Sequence, residues 1–375
     1  MTPRHDIKKI ASRFPLPGDF ISATPLTRGH INDTYVADFE KDGRRVRHLI
    51  QRVNHDIFRN VPAMMENVGR VTRHAAARLQ ADGCSEVSRR VLTVIPTHEG
   101  LSHHCDEAGN FWRVFIFIEN TRSHDAIESV EQAHDVARAF GNFQKLLVDL
   151  PGGRLNETIP NFHHTRSRFD ALMQAVAEDR AGRAASVRAE IDFFRRREPV
   201  ADVLLGLLAR GEIPERVTHN DTKLNNVLFD ATSGEAVCVI DLDTVMPGLA
   251  LYDFGDMVRT ATSPAPEDER DLSKVRMQMP MFEALVGGYL ESAGGFLNDA
   301  EKAHLAFSGR LITFETGARF LTDHLQGDVY FKIHRPQHNL DRARTQMKLV
   351  ESIEEQEESM RRAVDRLEAG AANNR

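Results

Sequence analysis

His219-Asn220-Asp221-Thr222-Lys223-Leu224-Asn225-Asn226, followed downstream by Val239-Ile240-Asp241, is the stretch on which the reading of this chain turns. Asp221 precedes Asn226 by five residues and Asp241 by twenty. The apolar run Val237-Cys238-Val239-Ile240 reads as a strand that holds Asp241 rigidly at its end. This spacing lets one carboxylate face a hydroxyl while an amide and a second carboxylate hold magnesium, a hard cation that prefers oxygen and commonly takes one or two carboxylates together with phosphates. Asp and Asn also favour turns, so Asp-x4-Asn alone carries little. The strand-borne Asp241 at the right distance moves the pattern from turn to chemistry.

The chain around it is ordinary in composition. Its 375 residues give two structural units as a prior, with 41% hydrophobic and 27% charged residues as in soluble globular proteins. The net charge of −7 comes without a clustered basic tract, which argues against a nucleic-acid partner. Cys84, Cys105 and Cys238 are widely spaced and form no CxxC pair, so neither a zinc site nor a disulfide framework is expected. His103-His104-Cys105 lies among Ser, Glu, Asp and Gly and reads as a turn between strands. No apolar leader and no run of about 18 apolar residues occurs, so a cytoplasmic protein without a membrane partner is expected.

Patterning divides the chain near residue 118. Residues 5–15 read as a short amphipathic helix stopped by Pro15, and residues 20–53 switch to strand chemistry. Residues 34–39 and 48–53 are strands flanking an Asp42-Gly43 hairpin turn; a helix runs from Pro62 to about Gln80, and strands follow at 91–95 and 111–118. Beyond Glu119-Asn120-Thr121, helical periods cover 129–149, 164–179, 184–196 and 199–210. A strand-rich island at 216–243 carries the opening motifs, and helices resume at 269–295, 299–325 and 339–368. The Glu/Arg-rich last helix is expected to be a solvated face. The expected domains are 1–118, a nucleotide-covering lobe, and 119–375, a catalytic and substrate-binding lobe.

A small β-rich segment, a connector and a large helical segment containing His-x-Asp-x4-Asn resemble the aminoglycoside phosphotransferase and choline kinase superfamily. Within it, the chain is most similar to the N-acetylhexosamine 1-kinases. The stretches that carry this closer match are Gly29-His30-Ile31-Asn32-Asp33-Thr34-Tyr35, the 219–256 block, and Arg319-Phe320-Leu321-Thr322-Asp323 through Gly327 to Pro336. The resemblance implies an α+β, bilobal, protein-kinase-like fold and transfer of phosphate from ATP with Mg2+. Asp221 is then the catalytic base, Lys223 neutralises charge beside it, and Asn226 and Asp241 are the metal ligands. His219 braces the loop. Asp253-Phe254-Gly255 spells a protein-kinase metal tripeptide. It lies 32 residues after Asp221, and Gly248-Leu249-Ala250-Leu251-Tyr252-Asp253 resembles the superfamily's own GxxxxD signature, in which Asp253 braces the catalytic loop. Asp243 reads either as a supporting acid or as a minor metal contact.

On the nucleotide side, the phosphate-covering loop is expected at Thr27–Thr34, with the single Gly29 and the hydroxyl of Thr34 as phosphate contacts. The strand lysine that normally grips phosphate is absent. Arg52 takes its strand and is the expected phosphate contact; Gln51 precedes it, and alternation puts those two on opposite faces, so a one-residue error would swap them. Glu66, the only acid between Asp56 and Asp82, is the expected partner of Arg52. Backbone groups of Phe117 and Ile118 in the connector are expected to meet adenine.

For the acceptor, the resemblance implies the anomeric hydroxyl of an N-acetylhexosamine, GlcNAc or GalNAc, contacted by His30, Arg319 and Tyr330. An Arg319–Asp323 ion pair at i,i+4 is the competing reading of that arginine. Residues 310–348 hold seven Lys/Arg against four Asp/Glu, which argues against a polycationic aminoglycoside. Choline wants an aromatic cage that one Trp and four Tyr supply poorly. Other small hydroxyl compounds, such as homoserine, stay open as acceptors. A nucleotide-binding pseudokinase without turnover is the alternative of a different class; intact Asp221, Asn226 and Asp241 argue against it.

Overall fold

The computed structural model describes residues 5–26 and 31–373. In chain order its first elements are α1 (Ile7–Ala11), β1 (Asp19–Leu26), β2 (Asp33–Lys41), β3 (Arg44–Val53), α2 (Val61–Ala81), α3 (Val87–Arg90), β4 (Val94–Ile95), β5 (His104–Cys105), β6 (Phe111–Ile116) and β7 (Thr121–Arg122). There follow α4 (Val130–Leu146), α5 (Thr165–Glu178), α6 (Arg188–Arg196), α7 (Val203–Ala209), β8 (Arg216–Thr218), β9 (Val227–Asp230), β10 (Ala236–Val239) and β11 (Met246–Gly248). The chain closes with α8 (Ala250–Ala261), α9 (Met279–Ala293), α10 (Asp299–Ala303), α11 (Leu305–Gln326) and α12 (His338–Asn373). Two compact units result. The first takes Met1–Arg122, Asp149–Pro160 and Leu228–Met246; the second takes Ser123–Val148, Asn161–Val227 and Pro247–Arg375.

The first unit is built on an antiparallel sheet in the order β1-β2-β3-β6-β4, with β5 also pairing β6. The Asp42-Gly43 turn forms with φ of 52° and 72°, both in the left-handed region that a two-residue type I′ hairpin requires. That turn sets a register in which Thr34 faces Gln51 and Asp33 faces Arg52; across the next pair Gln51 faces Arg113 and Arg52 faces Trp112. Apolar residues on one side of the sheet, among them Ala37, Phe39, Ile50, Trp112 and Val114, bury Ile7, Ile10, Ala11 and Phe14 from the N-terminal segment. The fully buried indole of Trp112 keeps its N–H satisfied by donating to Asp106 at 2.8 Å. Helix α2 starts where Asn60 caps the Ala63 N–H and Pro62 occupies the first turn. Its buried Asn67 amide donates to the carbonyls of Asn156 and Val245, tying both later segments into this unit.

The second unit is helical. Glycines sit where helices approach most closely: a Cβ on Gly255 of α8 would meet the Ser308 carbonyl of α11 at 2.4 Å, and one on Gly288 of α9 would meet the His134 carbonyl of α4 at 2.0 Å. The tripeptide Asp253-Phe254-Gly255 is therefore a helix-packing segment, with Phe254 fully buried.

Several sequence expectations shift. The helix expected over 269–295 begins only at Met279, because Pro280 fits the first turn and cannot sit deeper in a helix; 269–278 holds just a 3-10 turn at Leu272–Lys274. The 299–325 period breaks at His304 into α10, opened by an Asn298/Glu301 capping box, and α11. Of residues 91–95 only Val94–Ile95 pairs as strand. His104–Cys105 is a strand rather than a turn, and the turn lies at 106–110, where Asp106 accepts the N–H groups of Ala108 and Asn110. Among the described residues no helix is long and apolar enough to cross a membrane.

Candidate active site

The catalytic-loop motif lies in the second unit between β8 and β9. His219 is fully buried, edge-on to Phe140 and Phe143 of α4 at ring distances of 5.2 and 5.8 Å, and its Nδ1 accepts the Asp221 N–H at 3.3 Å. Asn220 adopts φ of 64°, a left-handed backbone that costs energy for a non-glycine residue and is held by its surroundings. Asp253 supplies that hold: one oxygen accepts the Asn220 N–H at 2.7 Å, and the other accepts the His219 N–H at 2.9 Å and the Gln144 amide at 2.6 Å. Burial raises the Asp253 carboxyl, opposed by His219 and these donors. Thr222 adds a hydroxyl bond to the Asp253 carbonyl and an N–H bond to Asp256.

This brace presents three side chains together. Lys223 Nζ lies 2.7 Å from Asp221 Oδ1. The Asn226 amide donates to the Asp221 carbonyl at 2.8 Å and to Oδ2 at 3.1 Å. Burial by itself raises the Asp221 carboxyl; the Lys223 ammonium, with His219 and the Asn226 amide, outweighs it and holds the group below the usual aspartate range. Among the described residues, no donor bonds to Oδ1 of Asn226, although the residue is mostly buried.

Asp241 belongs to the first unit, two residues past the end of β10, exposed and with a left-handed backbone at φ 60°, ψ 59°. Asp243 is buried and engaged: it forms an ion pair with Arg113 and accepts the Asn32 amide at 2.7 Å. Arg113 Nε donates to Gln51 Oε1 at 3.0 Å, and Gln51 Nε2 donates to Thr34 Oγ1 at 3.0 Å. Thr34, Gln51, Arg113, Asp243 and Asn32 thus form one continuous polar chain. Asp243 is thus held by Arg113 and Asn32. The buried Arg113 escaped the sequence reading; its signal was a lone charge inside the apolar run Phe111-Trp112-Arg113-Val114-Phe115.

The expected Arg52–Glu66 pair does not form. Arg52 binds its cross-strand neighbour Asp33 at 2.6 Å and Asn110 at 3.3 Å, on the sheet face opposite Gln51, while Glu66 accepts the Asn156 amide at 3.2 Å. Strand alternation is the reason, since Arg52 and Gln51 cannot share a face. In the connector, the Phe117 N–H reaches the Arg47 carbonyl at 3.4 Å, and the Ile118 carbonyl accepts the Thr121 hydroxyl at 2.9 Å. Gly29 and His30 lie outside the described residues. Among the described residues, no cluster of three or more His, Cys, Asp or Glu is arranged to hold a metal ion.

The third sequence stretch organises around Asp323 of α11. Its oxygens accept the N–H groups of Val329, Tyr330 and Phe331 and the Asn339 amide, at 2.7 to 2.9 Å. The Arg319–Asp323 ion pair is therefore absent. Arg319 instead places its guanidinium 5.3 Å from the Phe162 ring and 5.6 Å from the Phe331 ring, and Tyr330 is exposed beside Phe331. One turn earlier, Glu315 accepts from the Thr165 hydroxyl at 2.6 Å and binds His163 at 2.8 Å; the other nitrogen of His163 meets the Asn220 carbonyl at 3.1 Å. Burial disfavours the imidazolium, but Glu315 beside it prevails and raises the His163 pKa. His163 thus links α11 to the catalytic loop, a contact without any sequence motif.

An antiparallel sheet with a helical unit that carries a braced Asp-x4-Asn loop defines a protein-kinase-like α+β phosphotransferase. The phosphotransferase enzyme family matches residues 22–278, and the chain belongs to it. It is a phosphotransferase. Among solved structures it is similar to an aminoglycoside phosphotransferase from Alicyclobacillus acidocaldarius, with TM-score 0.62, 14% identity and 98% of each chain covered. A microcompartment-associated aminopropanol kinase gives TM-score 0.57 and 16% identity, covering 94% of this chain and 97% of that one. The choline kinase of Cryptosporidium parvum Iowa II gives TM-score 0.56 and 14% identity, with 93% and 95% covered. At these identities the likeness is one of fold.

Proposed function

We propose that this kinase transfers the γ-phosphoryl group of ATP, with Mg2+, to a hydroxyl of a small sugar, the anomeric hydroxyl of an N-acetylhexosamine. The observation that carries phosphoryl transfer is the Asp221 carboxylate, kept ionised by Lys223 and aimed by Asn226. A pKa below the ordinary aspartate range makes Asp221 a weak base. Its work is to orient the hydroxyl and to receive the proton late, as the bond to phosphorus forms, which suits a loose transition state that needs positioning more than early deprotonation.

Asn226 and Asp241 are the proposed magnesium ligands, and each carries the hard oxygen the ion prefers: Oδ1 of Asn226 accepts no hydrogen bond among the described residues, and the Asp241 side chain is exposed. When bound, the ion neutralises phosphate charge. For the phosphates we assign the Thr34 hydroxyl, the Gly29 loop and the sheet face of Gln51, with Arg113 fixing Gln51; Arg52 would first have to leave Asp33. Adenine is assigned to the backbone at Phe117 and Ile118. His30, Arg319 and Tyr330 are the proposed sugar contacts, and the aromatic faces of Phe162 and Phe331 supply the apolar side that a pyranose ring needs.

A panel of sugars with Mg-ATP, read by phosphorus NMR of the product, tests this. Turnover of GlcNAc or GalNAc to an anomeric phosphate, lost by at least about 100-fold in Asp221→Asn, is the expected result. A phosphate on another hydroxyl rejects the 1-kinase reading. ATP binding without turnover of any hydroxyl compound rejects the kinase assignment of the loop.

A further inference from the structure

Arg319 has a neighbour that no sequence motif indicated. Arg168 of α5 donates through Nε and Nη2 to the carbonyl of Phe162 at 3.2 and 3.0 Å, the residue whose ring Arg319 faces. Both guanidiniums are half-buried. Among the described residues, neither makes an ion pair or a hydrogen bond to a carboxylate. This is unusual for the surrounding unit: Arg166, two residues away, holds Asp202 and Glu198, Arg183 holds Asp328, and Arg216 holds Glu301. The nearby acid is Glu315, and His163 and Thr165 already occupy its two oxygens. Burial lowers the Arg168 pKa and the Arg319 charge lowers it further, against the weaker pull of Glu315 and Tyr330. Two partly desolvated like charges are costly in the protein alone and are relieved by an anion placed against both.

We propose that Arg168 and Arg319 form a binding site for an anionic group, a carboxylate or a phosphate, carried by the acceptor. Guanidiniums present planar forks of donors that match either anion. Arg168 still has N–H groups beyond the two spent on Phe162, and Arg319 spends none on a described hydrogen-bond partner. The position suits an acceptor. Arg319 lies one turn along α11 from Glu315, which reaches through His163 to Asn220, the residue before Asp221. The Phe162 and Phe331 rings lie against Arg319 to receive an apolar sugar face. This deepens the sugar-kinase reading and rests on it for the acceptor's role: the preferred amino sugar bears an acid in addition to the hydroxyl that is phosphorylated.

The test compares three ligands: N-acetylglucosamine, its uronic acid and its 6-phosphate. Calorimetric titration of the full chain without nucleotide reads binding; kcat/KM with Mg-ATP reads turnover. We expect at least one acidic member to bind more than about 10-fold tighter than the neutral sugar, and the better of the two identifies carboxylate or phosphate. In Arg168→Gln and in Arg319→Gln that ratio should fall toward one. Arg168→Lys, which keeps the charge, should restore most of it, separating recognition from misfolding. Equal or weaker binding of both acids, or a preference that survives both glutamine variants, overturns the proposal. Selective acid binding without turnover sinks the sugar-kinase reading and leaves the anion site standing. Turnover that favours the neutral sugar does the reverse.

Discussion

At Asp221 two opposing effects meet, and the charges win. Taking a carboxylate out of water raises its pKa, and an ammonium at 2.7 Å reverses this. The group is therefore ionised above a pKa that lies below the usual aspartate value, and its competence is lost only as pH falls through that lowered value. Lys223→Met removes the largest opposing charge and leaves the burial in place. The acid limb of kcat/KM should then move to higher pH, while the alkaline side keeps its shape. A pH profile of both proteins checks this; an unmoved acid limb would mean that Asn226 and His219 suffice and that Lys223 serves another purpose.

At the scale of elements, α8 is the support of the catalytic loop. The close approach permitted by Gly255 seats α8 against α11, and Asp253 on α8 then reaches two successive backbone N–H groups of the loop. This explains how a strained Asn220 persists. Asp253→Asn keeps the volume but replaces one acceptor with an N–H group facing a buried N–H donor. Each such unsatisfied donor costs on the order of 1–3 kcal/mol. We expect a lower unfolding midpoint in urea and a fall in kcat that follows the loss of order in the loop. A variant with full stability would show that Thr222 and Asp256 carry the brace. Although it joins residues 33 and 34 apart, this brace was foreseeable from the resemblance of Gly248 to Asp253 to the superfamily's GxxxxD signature. The helix starts were less legible: the apolar period around 269–295 runs on past a proline that physically ends it at Met279.

Over the whole molecule, legibility followed sequence separation. Turn chemistry at Asp42-Gly43, alternation in β2 and β3, and the Asp-x4-Asn spacing are each decided within ten residues, and they were readable. The pairs that distinguish this chain are not: Arg113 with Asp243 spans 130 residues, and His163 with Glu315 spans 152. Only the folded units bring them together, and nothing periodic marks them beforehand. The same contrast separates the two aspartates on which the motif reading turned. Asp253 is buried and fully bonded, whereas Asp241 is exposed at the end of an apolar strand. If Asp241 is a magnesium ligand, Asp241→Ala should lose at least about 100-fold in Mg-ATP turnover while its stability without magnesium falls only by the roughly 1–2 kcal/mol that a left-handed backbone costs alanine. Magnesium with a nonhydrolysable ATP analogue should raise the midpoint of the parent by linkage and raise that of Asp241→Ala much less. Asp253→Asn should show the converse, a lower midpoint that the ligand still raises. Retained magnesium-dependent turnover in Asp241→Ala would remove that residue from the metal site and return the role to the acids around Asn226.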